Sequence, residues 1–185
     1  MHQILKGKRV QLQALMDEDL ETMLSWYSNS TFLRRLDALP AKPTTLDSLK
    51  KWRDDASERD NHFLFSIRDD KTFVGYIELD GILWTQRNGW VTIAIGDPSL
   101  QGKGYGTEAM SLLLDYAFYE INLHRIQLTV FSYNQPAIWL YEHLGFTYEG
   151  AQREFILRDD EAYDMYIYGM LRREWIEKRT TLSKS

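Results

Sequence analysis

Gly102, Gly104 and Gly106 alternate with Lys103 and Tyr105 between the end of an apolar run and the start of a helical pattern. Glycines spaced this closely let successive backbone N–H groups turn into one concavity. A helix that begins there adds partial positive charge at the same point. A diphosphate is the occupant that suits such a hollow, with the Thr107 hydroxyl and the Lys103 ammonium as further partners. A P-loop needs Gly-Lys followed by Ser or Thr, and the Gly102-Lys103 pair is followed by Gly104, so that reading fails. The dinucleotide fingerprint G-x-G-x-x-[GA] is met literally by Gly104, Gly106 and Ala109. It also needs an acidic residue near the end of the next strand, and that strand ends Val130-Phe131-Ser132-Tyr133. A purely structural turn is the remaining plain alternative, although three alternating glycines weaken a helix start unless something compensates.

The elements that must position this segment follow from periodicity. Residues 9–15 alternate polar and apolar as a strand does. Asp17 reads as an N-cap, and Leu20, Met23, Leu24 and Tyr27 form one apolar helical stripe behind it. A second helix starts near Thr44 or Thr45 and carries Leu49, Trp52 and Ala56, which leaves residues 32–43 as a loop. Phe63, Phe65 and Ile67, then Phe73, Gly75, Ile77 and Leu79, read as an antiparallel hairpin around Asp69-Asp70-Lys71. Val91, Ile93 and Ile95 make a third strand, after the turn at residues 86–89. The helix that opens at the glycines runs through Met110, Leu113, Leu114, Ala117, Phe118 and Ile121. Ile126, Leu128 and Val130 form the next strand, Asn134-Gln135-Pro136 opens a short helix, and Gly145 ends it. Residues 146–149 and 163–171 close the sheet around an acidic turn at residues 158–161. Short turns between three consecutive strands predict a largely antiparallel sheet, and the strand–helix–strand unit at 90–131 predicts one parallel pair. The fold class is therefore α+β, a mixed sheet with helices on both faces.

Length and composition bound the answer. A chain of 185 residues with 44% hydrophobic and 26% charged residues forms one domain with a sizeable core. Residues 1–185 are read as that single domain, with a polar, basic C-terminal tail over about 172–185 whose end is expected to fray. With no cysteine, a disulfide scaffold, a thiol nucleophile and Cys-ligated metal sites are all excluded. The net charge of -5 lacks the electrostatic footprint of a nucleic-acid-binding protein. No apolar run reaches membrane-spanning length and no secretory signal is visible, so a cytoplasmic protein without membrane or nucleic-acid partners is expected. The four histidines, His2, His62, His124 and His143, lack metal-ligand spacing, and no metal site is expected.

Gln101-x-x-Gly104-x-Gly106 resembles the [QR]-x-x-G-x-[GA] signature of the GNAT superfamily of acyl-CoA-dependent N-acyltransferases. Asn134, Ala137, Tyr141 and Gly145-Phe146 resemble that family's second motif, in which an Asn opens a short helix, a Tyr lies along it and Gly-Phe ends it. The resemblance spans residues 7–171 and is nearest the branch of ribosomal-protein N-terminal acetyltransferases and their polyamine and small-molecule relatives. It implies a mostly antiparallel sheet with a splayed strand pair that binds acyl-CoA. It implies that acetyl-CoA rests its diphosphate on Gln101, Gly102, Lys103, Gly104, Tyr105, Gly106 and Thr107. Its pantetheine arm pairs like an added strand with Ile93, Ala94 and Ile95, and a backbone N–H there meets the thioester carbonyl. Asn134 contacts the arm or positions the acyl end.

Acetyl transfer to an amine then needs an acid for the leaving thiolate and a sink for the amine proton. Tyr141 is the acid that the resemblance implies; a phenol near ~10 against a thiol near ~8.5 makes donation uphill by about 2 kcal/mol in free solution. Some members of the family it resembles carry a Glu base on the strand before the glycine loop, at about the position of Trp90, and with Trp there that role does not carry over. Glu78 is the nearest carboxylate, on a face shared with Tyr76 and Val74, and a route through water without a dedicated base is the alternative. Trp84, Trp90, Trp139 and residues 32–43 are expected to wall the acceptor site, where aromatic rings would hold a cationic amine. Arg34 and Arg35 would instead suit a carboxylate-bearing acceptor. The expected function is acetyl transfer from acetyl-CoA to a primary amine, on a small molecule or a peptide N-terminus, by direct attack in a ternary complex. A non-catalytic acyl-CoA-binding or regulatory module on the same fold is the competing reading. An exposed sheet edge and the aromatic C-terminal strands would support a homodimer.

Overall fold

The computed structural model describes residues 3–182. Seven strands form one sheet in the order β1-β2-β3-β4-β5-β7-β6. They are β1 (Val10–Gln13), β2 (Phe63–Asp69), β3 (Thr72–Leu83), β4 (Asn88–Ile95), β5 (Arg125–Phe131), β6 (Thr147–Arg158) and β7 (Glu161–Leu171). Every pairing is antiparallel except that of β4 with β5. Six helices cover it: α1 (Asp17–Tyr27), α2 (Ser30–Leu36), α3 (Leu46–Ser57), α4 (Tyr105–Asp115), α5 (Gln135–Leu144) and α6 (Arg172–Leu182). A π-helical turn, Tyr116–Glu120, prolongs α4.

Alternation along the strands sorts the apolar side chains into two cores. Ile77, Leu79 and Val91 join Met110, Leu113 and Phe118 on the α4 face. Tyr76 and Ala94 join Leu20, Met23, Trp26 and Leu49 on the α1–α3 face. The expected grouping of Glu78 with Val74 does not hold. The β2–β3 register slips between Ile67 and Arg68, which leaves Val74 as an extra residue and turns it into the α4-side core. One buried ion pair ties the α1–α3 layer to the sheet, Arg68 to Asp19 at 2.5 Å. Asp19 also accepts from the Met16 N–H at 2.8 Å, so Met16, not Asp17, is the N-cap of α1.

Two stretches expected to be irregular are helical. α2 forms because the Asn29 side chain caps it, accepting from the N–H groups of Thr31 and Phe32 at 2.9 and 3.3 Å. The polar, basic tail, given no element in the sequence reading, forms α6 over residues 172–182. Trp175 is 1% exposed there, and its indole N–H donates to the Asp115 carboxylate at 2.8 Å, which also pairs with Arg179 at 2.6 Å. Residues 183–185 of that expectation lie outside the described residues, as do Met1 and His2.

Candidate active site

β4 and β5 pair over three residues only, Asn88–Trp90 with Arg125–Gln127. Beyond Trp90, β4 stays bonded to β3 through Ile93, Ala94 and Ile95, while β5 stays bonded to β7 through Phe131. The sheet thus opens into a V, and the β4 edge from Val91 onward has no strand beside it. A cleft of about 610 Å³ fills the opening. That is within the usual range for a small-molecule or cofactor site. The glycine segment lies at its mouth, α5 along one wall and α2 over the other face.

The glycine segment is a cradle of free donors. Gly102 and Gly104 take φ of 70° and 86°, a left-handed backbone that only glycine adopts cheaply. A side chain at either would meet nothing within 4 Å, so these glycines serve the turn rather than a tight contact. Among the described residues, none of the N–H groups of residues 102–107 donates a hydrogen bond to the protein. They lie just before and on the first turn of an 11-residue helix, Tyr105–Asp115, and are the donors that an anion would satisfy. The Gln101 side-chain amide ties the segment to the end of β4 by donating to the Ile95 carbonyl at 2.9 Å.

Side chains from distant parts of the chain brace this cradle. The Arg9 guanidinium donates to the Lys103 carbonyl at 2.9 Å and lies 4.4 Å from the centre of the Tyr105 ring. The Tyr105 hydroxyl donates to Asp69 at 2.7 Å. The Glu108 carboxylate accepts from the N–H groups of Arg9 and Val10 at 2.9 and 3.2 Å. Sequence reasoning missed Arg9, Asp69 and Glu108 as parts of the site, because nothing local marks contacts that span 36 to 99 residues.

Of the residues expected to hold the cofactor, Ile93, Ala94, Ile95, Gln101, Gly102, Gly104, Tyr105, Gly106, Thr107, Asn134 and Tyr141 all line the cleft. Lys103 does not; what it contributes is the carbonyl that Arg9 holds. Asn134 is the N-cap of α5, yet its side chain makes no capping bond and stands half-buried in the cleft. Tyr141 is 6% exposed and packs against Phe146 and Tyr168, and among the described residues its hydroxyl has no hydrogen-bond partner. Burial pushes its phenol up to about 12. Trp90, Trp139 and Phe32 line the cleft as expected, whereas Trp84 lies away from it, edge-on to Phe63.

Glu78 is not brought to the cleft. Its carboxylate accepts from or pairs with His62 Nε2 at 2.8 Å, and both side chains are largely buried. Thr92, directly across from Glu78 in the neighbouring strand, is the residue that lines the cleft. Strand pairing thus puts the carboxylate one strand too far back. No Asp, Glu or His lines the cleft among the described residues, and no group of three potential metal ligands occurs among them.

Residues 9–147 match the family model of the acetyltransferase (GNAT) domain. The chain belongs to the GNAT acetyltransferases. It is 30% identical over 171 residues to an uncharacterized N-acetyltransferase of the SPbeta prophage in Bacillus subtilis, covering 91% of this chain and 93% of that one. It is 34% identical over 143 residues to spermidine N(1)-acetyltransferase of Escherichia coli, covering 76% and 74%. Its fold superposes with a TM-score of 0.83 on spermidine N-acetyltransferase from Vibrio cholerae in complex with CoA and spermine, at 26% identity, covering 92% of this chain and 99% of that one. The GNAT protein described here is an enzyme, an N-acetyltransferase that takes its acetyl group from acetyl-CoA and delivers it to an amine. The family and its curated members exclude the non-catalytic module as the reading of this chain, and the dinucleotide fingerprint is incidental.

Proposed function

We propose that this GNAT enzyme acetylates a primary amine in a ternary complex, with the amine entering the V from the α2 side of the sheet. The observation that carries this is the opening between β4 and β5, with free N–H donors at one end and the lone hydroxyl of Tyr141 inside. The cofactor supplies an acetyl thioester when bound. The N–H groups of residues 102–107 hold its diphosphate, and the open edge at Ile93, Ala94 and Ile95 holds its pantetheine arm. Asn134 offers a free amide to that arm. Tyr141 is the proton donor to the leaving sulfur. Its phenol, at about 12, lies ~3.5 units above a free thiol, which is about 5 kcal/mol uphill instead of about 2. The same dry surroundings disfavour a bare thiolate as strongly, which narrows the gap again. With no carboxylate in the cleft, the amine proton passes to water.

The branch of ribosomal-protein N-terminal acetyltransferases rests on the two motifs alone. The relatives in Escherichia coli and Vibrio cholerae acetylate spermidine, so both a peptide N-terminus and a polyamine belong in the first acceptor panel. We place the enzyme in the cytoplasm as one domain. Its assembly is proposed to be a homodimer, supported by the edge strand β6 and its exposed Tyr148, Phe155 and Leu157. The deciding measurement is thiol release from acetyl-CoA against that panel, with Tyr141→Phe alongside. Amine-dependent release that falls sharply in the variant supports the scheme. Release that ignores the variant removes Tyr141 from the acid role.

A further inference from the structure

The two arginines at the end of α2 have different fates. Arg34 is committed to the fold: its guanidinium pairs with Asp159 at 2.6 Å, and its carbonyl accepts from the Tyr133 hydroxyl. Arg35, next in sequence, lines the cleft and is exposed, and its side chain has no ion pair or hydrogen bond among the described residues. It is the one charged side chain among the cleft-lining residues. The protein as a whole carries -5, so an unpaired cation in a cleft without carboxylates runs against the average.

We propose that Arg35 is an acceptor-specificity residue, and that the acceptor is an amine carrying a carboxylate, such as an amino acid or a short peptide, rather than a polyamine. This rests on the acetyltransferase reading of the same cleft. The cation sits on α2, over the face of the V from which the amine enters, together with Asn29, Thr31 and Phe32. The diphosphate cradle at the start of α4 already has its own donors. A guanidinium presents a planar fork that fits a carboxylate with two parallel hydrogen bonds. For a polyamine the same residue is a like charge, with no acid on the cleft wall to offset it.

The test uses acetyl-CoA with linear ω-amino acids of increasing length, n-alkylamines of matching length, and spermidine. The intact enzyme is expected to favour an amino acid over the matching alkylamine. Arg35→Ala is expected to lower kcat/KM for that amino acid by about 10- to 100-fold, the range for a charged hydrogen bond. It should not lower the alkylamine rate, and it should leave the CoA dissociation constant unchanged. Arg35→Glu is expected to move the preference toward spermidine. Calorimetry of the amino acid binding to the CoA-loaded protein reads recognition without turnover. The proposal fails if spermidine is the better substrate of the intact enzyme and Arg35→Ala leaves the ranking alone. It fails equally if the variant loses CoA affinity, since Arg35 would then serve a cofactor phosphate. Loss of all thiol release with amino-acid binding intact would instead sink the catalytic scheme and leave this recognition standing.

Discussion

The two ends of the cleft are built on different principles. At the proposed cofactor end the donors are backbone N–H groups fixed by two left-handed glycines and the first turn of α4, and the side chains of Arg9, Gln101, Tyr105 and Glu108 are bonded to other parts of the frame. At the proposed acceptor end the wall is side chains: Phe32, Arg35, Trp90 and Trp139, with Trp139 61% exposed and Arg35 unpaired among the described residues. A backbone cradle recognises a group that never changes, the diphosphate. A side-chain wall can be altered one residue at a time without disturbing the fold. The difference explains how one scaffold keeps its cofactor while its acceptor varies.

The acceptor-side layer is nevertheless fixed at its root by one buried pair, and breaking it gives the largest effect. Asp19→Asn leaves the buried Arg68 guanidinium with only the exposed Glu18 carboxylate, 3.7 Å away, and is expected to cost about 3 kcal/mol of stability, read by denaturant unfolding. CoA affinity of the protein that remains folded should not change, because the bonds that brace the cradle run to Arg9, Asp69 and Ile95 and none runs to Asp19. Weakened CoA binding in the folded fraction would show that the two ends are not independent.

Tyr141→Phe comes next. Loss of a positioned acid is expected to lower kcat about 100-fold with little change in the KM for acetyl-CoA. Burial holds the phenol at about 12, above its ordinary value, so the proton-bearing form is present at every lower pH. The rate should therefore show no alkaline decline attributable to Tyr141 between about pH 8 and about pH 10. An alkaline limb there that vanishes in the phenylalanine variant would contradict the dry environment of the ring.

The same contrast governs what the sequence revealed. The glycine cradle was legible because local backbone geometry demands particular residues at fixed spacing, and Gly104, Gly106 and Asn134 all lie where that spacing puts them. The three longer internal helices and the strands were legible from period, except that β6, expected over residues 146–149, runs Thr147–Arg158; its mostly exposed residues and two register shifts hide the alternation. α2 was not, because in seven residues Phe32, Leu33 and Leu36 make a stripe too short to establish a period; the Asn29 cap was its other local sign. Its position depends on residues more than a hundred places away. Arg158 donates to the carbonyls of Asp37, Ala38 and Leu39, at 3.1 to 3.2 Å, and Asp159 holds Arg34. α6 was hidden for a related reason: among polar neighbours, Trp175 and its bond to Asp115 carry the docking. The acceptor end is assembled from such contacts, and no local pattern encodes them.

Gly104→Val attacks the cradle without touching the acceptor wall. Forcing a β-branched residue to a φ of 86° costs about 1–2 kcal/mol, which the turn can avoid by rotating its N–H groups away. CoA affinity is expected to fall about tenfold by calorimetry, with the acceptor ranking preserved. Arg9→Ala removes one bond to the Lys103 carbonyl and is expected to weaken CoA binding about two- to tenfold, the worth of a single exposed hydrogen bond. A changed acceptor preference in either variant would blur the division between the two ends.

Glu78→Gln should give the smallest effect on catalysis, and its smallness is informative. Strand pairing sets Glu78 behind Thr92, and its partner is His62, whose Nε2 lies 2.8 Å away. A carboxylate so placed has no direct path to an amine on the cleft side of β4. The glutamine can keep a hydrogen bond to the imidazole, so the fold should tolerate it. The pH dependence of kcat/KM is then expected to match that of the intact enzyme, with the acidic limb set by the amine itself. An acidic limb displaced in the variant, with the same amine, would mean that water carries the proton around Thr92 to Glu78, and the acceptor end would then hold a base that its lining residues do not reveal.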